Sequence, residues 1–493
     1  MRNILQAIGI YFIVYTQVLD TSVVNLALYK ISSDLHIDAY SSAWLTTFFG
    51  LGMALSFTAS GFVAKRFGSL GVFFVFSLLF ILFSVQCATS TTITQMFFGR
   101  FLQGVCSGLV VTTSQQLMVQ ALGVERKNFA LSIWGSAISF GPLTGPILGA
   151  WITDSLGWRW IFFINVPIII LCLITLKYDF NNSSNDGEKL SFNFTALICA
   201  ALFFLSVQYQ IDFGERLMWY RSEFMQAALI LSILSLILFL ILNKKGGKYL
   251  LEVGLFKNRQ YAIGTVVISV GNGLIMASLL YFPVWLQKVY GMPIFEAGIV
   301  VASSSLISFV LAPFIGKRLN PAHFEYAIIL SLLFLAVSFY FMSKYKLNSS
   351  IADMITPRIL FGLGTTLFYI PLTSYSLSTL PNEKMVAANS MSLLLRVVMA
   401  NLFIGLAFIF ISKYQYFAYE SYVSTTDRFL ANNFTGSVYP NLDWITRESS
   451  TLIMRGIFIL SAVLCILLML PIVLSRFVKF ISKSKSSTVE DIH

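Results

Sequence analysis

Apolar residues in this chain come in blocks of about 20, the length a helix needs to cross the hydrocarbon core of a bilayer. Fourteen such blocks can be read, at 4–28, 42–64, 72–90, 93–118, 128–152, 158–177, 191–211, 223–243, 260–287, 295–316, 324–343, 353–378, 385–412 and 452–475. Most gaps between them are short, so consecutive helices are expected to run antiparallel in a compact bundle. No gap is long enough for a soluble catalytic domain. Charged residues are 11% of the chain, against about 25% in a soluble domain, too few to cover several water-facing cores. The expected class is an all-α polytopic membrane protein.

The first block is longer than a signal-peptide core, has only Arg2 ahead of it and lacks an A-x-A-like site, so it is expected to remain as a span. With the amino terminus inside and sides alternating, most of the 33 Lys and Arg fall on the inner side, among them Lys244, Lys245, Lys248, Lys257 and Arg259. By the positive-inside rule both termini are expected in the cytoplasm. The net charge of +11 therefore reports topology and anionic lipid, with no nucleic-acid partner expected. Cys87, Cys106, Cys172, Cys199 and Cys465 all lie in apolar blocks without CxxC spacing and read as packing residues. His36, His323 and His493 are scattered through loops and tail, so no metal site is expected. No phosphate-binding loop is present, which leaves ion gradients as the energy source and no cofactor.

The polar stretch 181–193 divides the chain. Three parts are expected: a first bundle over 1–180, a linker with two extra helices over 181–250, and a second bundle over 251–493. The last part contains a long outer loop at 413–451, whose stretch 413–447 is rich in Tyr, Phe, Asn and Ser and reads as a cover for the outer face or a surface that meets another protein.

Ionisable side chains inside spans are costly, about 2.5–3.5 kcal/mol each at mid-membrane on insertion scales, and so are functional candidates. Asp20, Arg100, Asp212, Arg358 and Arg396 lie inside or at the edge of blocks. Asp20 sits in an otherwise apolar helix, where a carboxylate is suited to taking up and releasing a proton. Arg100 keeps its charge and is a fixed positive partner for a carboxylate. Two readings stand for Asp212: a proton site, or an outer carboxylate paired with Arg216. Two also stand for Arg358 and Arg396: lining the second bundle, or reaching an interface. In the fifth block Gly141, Gly145 and Gly149 recur every four residues, giving one helix face on which a neighbour approaches closely. Pro142 and Pro146 remove backbone donors from the same helix and bend it, which suits a hinge or seal between moving bundles.

Local patterns add a resemblance. LDTSVVNLAL (19–28), GFVAKRFGSLG (61–71), GRFLQGVCSG (99–108), WGSAISFGPLTGPILGAWI (134–152) and WRWIFFINVP (158–167) are similar to signatures of the major facilitator superfamily, specifically its fourteen-span drug:proton antiporters. VQYQIDFGERLMW (207–219), LEVGLFKNRQYAIG (251–264) and IPLTSYSLSTLP (370–381) resemble the inner-membrane permease of Gram-negative tripartite efflux pumps. Departures exist: Tyr29 replaces a usual Pro, Lys65 a usual Asp, Ser69–Leu70 a basic pair, and Ala400, Asn401 and Phe403 follow Arg396 where a Gly-Ser-x-x-Gly is usual.

The resemblance implies two six-helix bundles plus two intervening helices, and a proton-coupled exporter of hydrophobic or amphipathic molecules in a bacterial inner membrane, with no enzymatic activity. It implies proton coupling at Asp20, Arg100 and Asp212, an antiporter motif at Gly141, Pro142, Gly145, Pro146 and Gly149, and a cytoplasmic-loop motif at Gly61, Lys65, Arg66 and Gly68. Asn25, Gln103, Gln115, Arg358 and Arg396 are candidates for the cargo pathway. It also implies a periplasmic adaptor and an outer-membrane channel as partners. Export of one endogenous metabolite such as a siderophore is the alternative within this class; a nutrient:proton symporter and a non-transporting receptor are the alternatives outside it.

Overall fold

The computed structural model describes residues 2–36, 44–176, 194–214, 217, 221–244, 253–318, 323–380, 384–433 and 442–490. Every apolar block appears as a helix. The first bundle comprises α1 (Arg2–Asp34), α2 (Trp44–Phe67), α3 (Ser69–Thr89), α4 (Ile93–Leu122), α5 (Lys127–Ser155) and α6, which is in two pieces, Trp160–Phe163 and Asn165–Thr175. The intervening pair is α7 (Phe194–Phe213) and α8 (Glu223–Lys244). The second bundle comprises α9 (Arg259–Lys288), α10 (Ile294–Arg318), α11 (Phe324–Met342), α12 (Ile351–Leu377), α13 (Met385–Asn433) and α14 (Leu442–Glu490). Eleven helices among the described residues are long and apolar enough to cross a membrane, and 160–175 and 295–308 are shorter apolar helices.

Local chemistry sets where helices begin and end. Thr92 caps α4 by accepting from the Gln95 amide, and Ser350 and Asp353 cap α12 reciprocally. The chain turns from α2 to α3 in a single residue, Gly68, whose φ of 77° an L side chain would resist. Around the outside, large apolar side chains such as Leu78, Leu82, Ile233, Ile237, Leu467 and Leu470 are exposed. That is a surface for lipid, not water, and the molecule is a multi-pass membrane protein.

Within the first bundle α1 packs on α5 and α4, and α4 on α2 and α3. Within the second, α12 packs on α10 and α11, and α9 on α13 and α12. The bundles meet where α5 touches α10, α2 touches α13, and α1 touches α9. Toward the end that carries the termini, Ser60 of α2 and Ser390 of α13 share a hydrogen bond of 3.1 Å. Toward the other end, Val23, Val24 and Ala27 of α1 share a core with Leu274 and Leu279 of α9. The intervening pair lies across one seam, with α7 packed on α8, α2 and α13.

One expectation is corrected. The outer stretch 413–451 is not a loop: α13 runs on as helix to Asn433 and α14 begins at Leu442, with 434–441 outside the described residues. A polar, aromatic composition excludes a span but not a helix that continues beyond one.

Candidate functional site

The site is built where α1, α3, α4 and α6 converge. Close approach of α4 to α2 comes first: a Cβ on Gly104 would lie 2.0 Å from the Phe49 carbonyl oxygen, and one on Gly108 would lie 1.9 Å from Ser56 Oγ. Only glycine permits this contact, which brings the polar face of α4 into the bundle core. There Arg100 and Asp20 of α1 are both fully buried and form an ion pair, Nη1 to Oδ2.

Every arm of this pair is held. Arg100 Nη1 also donates to Gln103 Oε1 (3.1 Å), Nη2 to the Asp20 carbonyl (3.4 Å) and Nε to the Leu45 carbonyl of α2 (3.3 Å). The guanidinium lies 4.3 Å from the Phe49 ring centroid. The second carboxylate oxygen of Asp20 accepts from Asn165 Nδ2 of α6 at 2.9 Å. Gln103 in turn donates through Nε2 to Ser84 Oγ of α3 (2.8 Å) and accepts from Cys87 Sγ (3.3 Å). A buried charge is tolerated when paired and hydrogen-bonded, and this pair meets both conditions.

The glycines of α5 face α1 over the turn that carries Asp20. A Cβ on Gly141 would lie 2.8 Å from the Leu19 nitrogen, and one on Gly149 would lie 2.6 Å from the Val23 carbonyl oxygen. Gly145 between them meets Ser22. The stripe therefore clamps α5 to α1 inside the first bundle, while α5 also packs on α10 of the second. The helix runs continuously from Lys127 to Ser155; the side chains of Pro142 and Pro146 lie outside the described residues.

Other candidates are dispersed. Asn25 of α1 is buried and accepts from Thr46 Oγ1 of α2 at 3.1 Å. Gln115 is buried on α4 fifteen residues beyond Arg100, about 22 Å along the helix. Arg396 donates to Thr373 Oγ1 of α12 at 3.1 Å, and its own carbonyl accepts from Asn272, whose Oδ1 accepts from Tyr369. Arg358 is fully buried between α10 and α12. Gly61 and Gly68 flank an exposed Arg66 at the α2–α3 turn, and a Cβ on Gly61 would meet open space. The side chains of Lys65 and Asp212, and all of Arg216, lie outside the described residues. Among the described residues no group of His, Cys, Asp and Glu is placed to hold a metal ion.

The sequence reading missed Asn165, Ser84 and Gln17. Asn165 sits inside WRWIFFINVP and is the polar residue of that segment with a buried side chain. Gln17, one turn before Asp20, is buried, and neither of its amide atoms has a partner among the described residues. An apolar pocket of about 280 Å³ lies between α2, α7 and α8, walled by Trp44, Phe48, Leu51, Leu205 and Tyr209.

A family model described as Major Facilitator Superfamily matches residues 10–404. The chain is 27% identical over 390 residues to the Multidrug export protein EmrB of Escherichia coli K12, covering 79% of this chain and 76% of that protein. It is 28% identical over 472 residues to the Probable multidrug resistance protein EmrY of the same organism, covering 92% and 91%. It is 30% identical over 388 residues to the Fatty acid resistance protein FarB of Neisseria gonorrhoeae, covering 78% and 76%.

Proposed function

Because the chain belongs to the major facilitator superfamily and is a membrane transporter, we propose that it exports hydrophobic or amphipathic small molecules from the bacterial cytoplasm in exchange for protons. The observation that carries this reading is the buried Asp20–Arg100 pair, seated on a helix that α5 clamps from its other side. Since α5 is also packed on α10, rocking of the bundles pulls on α1 at the turn that holds Asp20. In this reading Asp20 carries the exchanged proton: Arg100 and Asn165 hold its carboxylate in this conformation, and movement of α1 separates it from them. A group that binds a proton in one conformation and releases it in the other is what exchange requires.

Names of the relatives, multidrug export and fatty acid resistance, support hydrophobic cargo over a single metabolite. An inner-membrane location with both termini cytoplasmic, a first bundle over 1–180 and a second over 251–493 belong to the same reading, as do a periplasmic adaptor and an outer-membrane channel. Asp212 remains the second proton-site candidate.

The test uses inverted membrane vesicles with an imposed acid interior. Adding cargo from a panel of hydrophobic cations, uncouplers and siderophores should release protons from the lumen, detected by a pH-gradient dye. Release by none of them overturns the reading; release by a siderophore alone selects the dedicated exporter.

A further inference from the structure

α12 repeats, in the second bundle, a sequence that α4 carries in the first: Arg358-Ile-Leu-Phe-Gly362 against Arg100-Phe-Leu-Gln-Gly104, each arginine being the eighth residue of its helix. Their surroundings correspond. A Cβ on Gly104 would lie 2.0 Å from the Phe49 carbonyl oxygen of α2, and one on Gly362 would lie 2.2 Å from the Ser304 carbonyl oxygen of α10. Each arginine donates to a backbone carbonyl of that same neighbour, Arg100 Nε to Leu45 and Arg358 Nη2 to Val301, both at 3.3 Å.

The charges do not correspond. Arg100 has Asp20, whereas Arg358, equally buried, has no ion-pair partner among the described residues. Where Gln103 accepts from Arg100, Phe361 presents a ring face to Arg358, its centroid 4.5 Å away, and Phe282 lies at 5.3 Å. Nη2 also donates to Ser304 Oγ at 3.1 Å, but Nε and Nη1 find no acceptor among the described residues.

A guanidinium does not give up its proton, and an unpaired one inside a membrane-spanning bundle is among the costliest arrangements a protein can hold. Two ring faces offset part of that cost but accept no hydrogen bond in the guanidinium plane. No described residue supplies the missing negative charge. We propose that Arg358 binds a small inorganic monoanion, chloride in the cell, through Nη1, the atom by which Arg100 holds the Asp20 carboxylate. A carboxylate-bearing cargo would have to thread its apolar body between α9, α10 and α12; a single-atom anion does not.

The full chain, purified in detergent, tests this by its melting temperature at constant ionic strength as gluconate is replaced by chloride or bromide. The expected result is a saturable rise with both halides that disappears in Arg358→Met, which keeps the stem of the side chain and removes the charge. In crystals soaked in bromide, an anomalous peak should lie beside Arg358 Nη1, a readout that stands if the variant does not fold. No halide-dependent rise in the wild-type chain, an equal rise in the variant, or bromide absent from Arg358 overturns the proposal.

Discussion

Gly145 of α5 meets Ser22 of α1 so closely that a Cβ at position 145 would lie 1.9 Å from Ser22 Oγ and 3.0 Å from the Val23 nitrogen. Gly145→Ala should therefore push α1 and α5 apart at a cost of about 1–3 kcal/mol and slow export several-fold. Adding Ser22→Ala removes the nearest atom and should restore part of the rate; the Val23 backbone keeps the recovery incomplete. Equal rates in the wild type and Gly145→Ala would show that the contact is dispensable.

Asp20→Asn should abolish proton-driven export, read as the dependence of export rate on the imposed gradient at fixed cargo. It should also lower thermal stability by about 3–5 kcal/mol, because it leaves Arg100 buried without its counter-charge. The double variant Asp20→Asn/Arg100→Gln should recover much of that stability and none of the coupling. A gradient-dependent rate near wild type in Asp20→Asn would move the coupling site elsewhere, with Asp212 the next candidate.

Asn165→Leu removes a donor to the charged form of the Asp20 carboxyl (2.9 Å). A hydrogen bond to a charged group is worth about 1.5–3 kcal/mol, so Asn165→Leu should lower thermal stability by about that much and slow gradient-driven export about tenfold. Asn165→Gln, which keeps the amide, should do less of both. Stability and export near wild type in Asn165→Leu would limit Asn165 to packing.

Shortening the helices between 413 and 447 should abolish resistance in whole cells while vesicles retain cargo-driven proton exchange, the pattern expected of an adaptor surface. Loss of both activities together would assign the segment to folding or gating.

A reporter fused after Ser487 should register as cytoplasmic, since Arg476, Lys479, Lys483 and Lys485 gather at that end of the chain. A periplasmic signal would reverse the assigned orientation.

The number and place of the helices were legible because each apolar block is long enough to span, and Asp20 and Arg100 stood out as charges within such blocks. Their pairing could be supposed, since an arginine and a carboxylate both lay inside spans, but its distance was not legible: that depends on how Gly104 seats α4 against α2 and how the α5 stripe holds α1. Asn165 and Ser84 were hidden for a different reason: short polar side chains are common in these helices, and only burial beside a charge distinguishes them. The continuation of α13 was misread since hydropathy reports the solvent around a helix, not its end.

The apolar span of α13 stops at Ile411 while its helix goes on to Asn433, about 33 Å of rod beyond it. A rigid rod turns with its bundle, so a rotation of about 10° at the base carries the tip sideways by about 6 Å. Lever action of this kind would let an event inside the bilayer be felt well outside it as a displacement the size of a side chain, without any change in the rod's own hydrogen bonds.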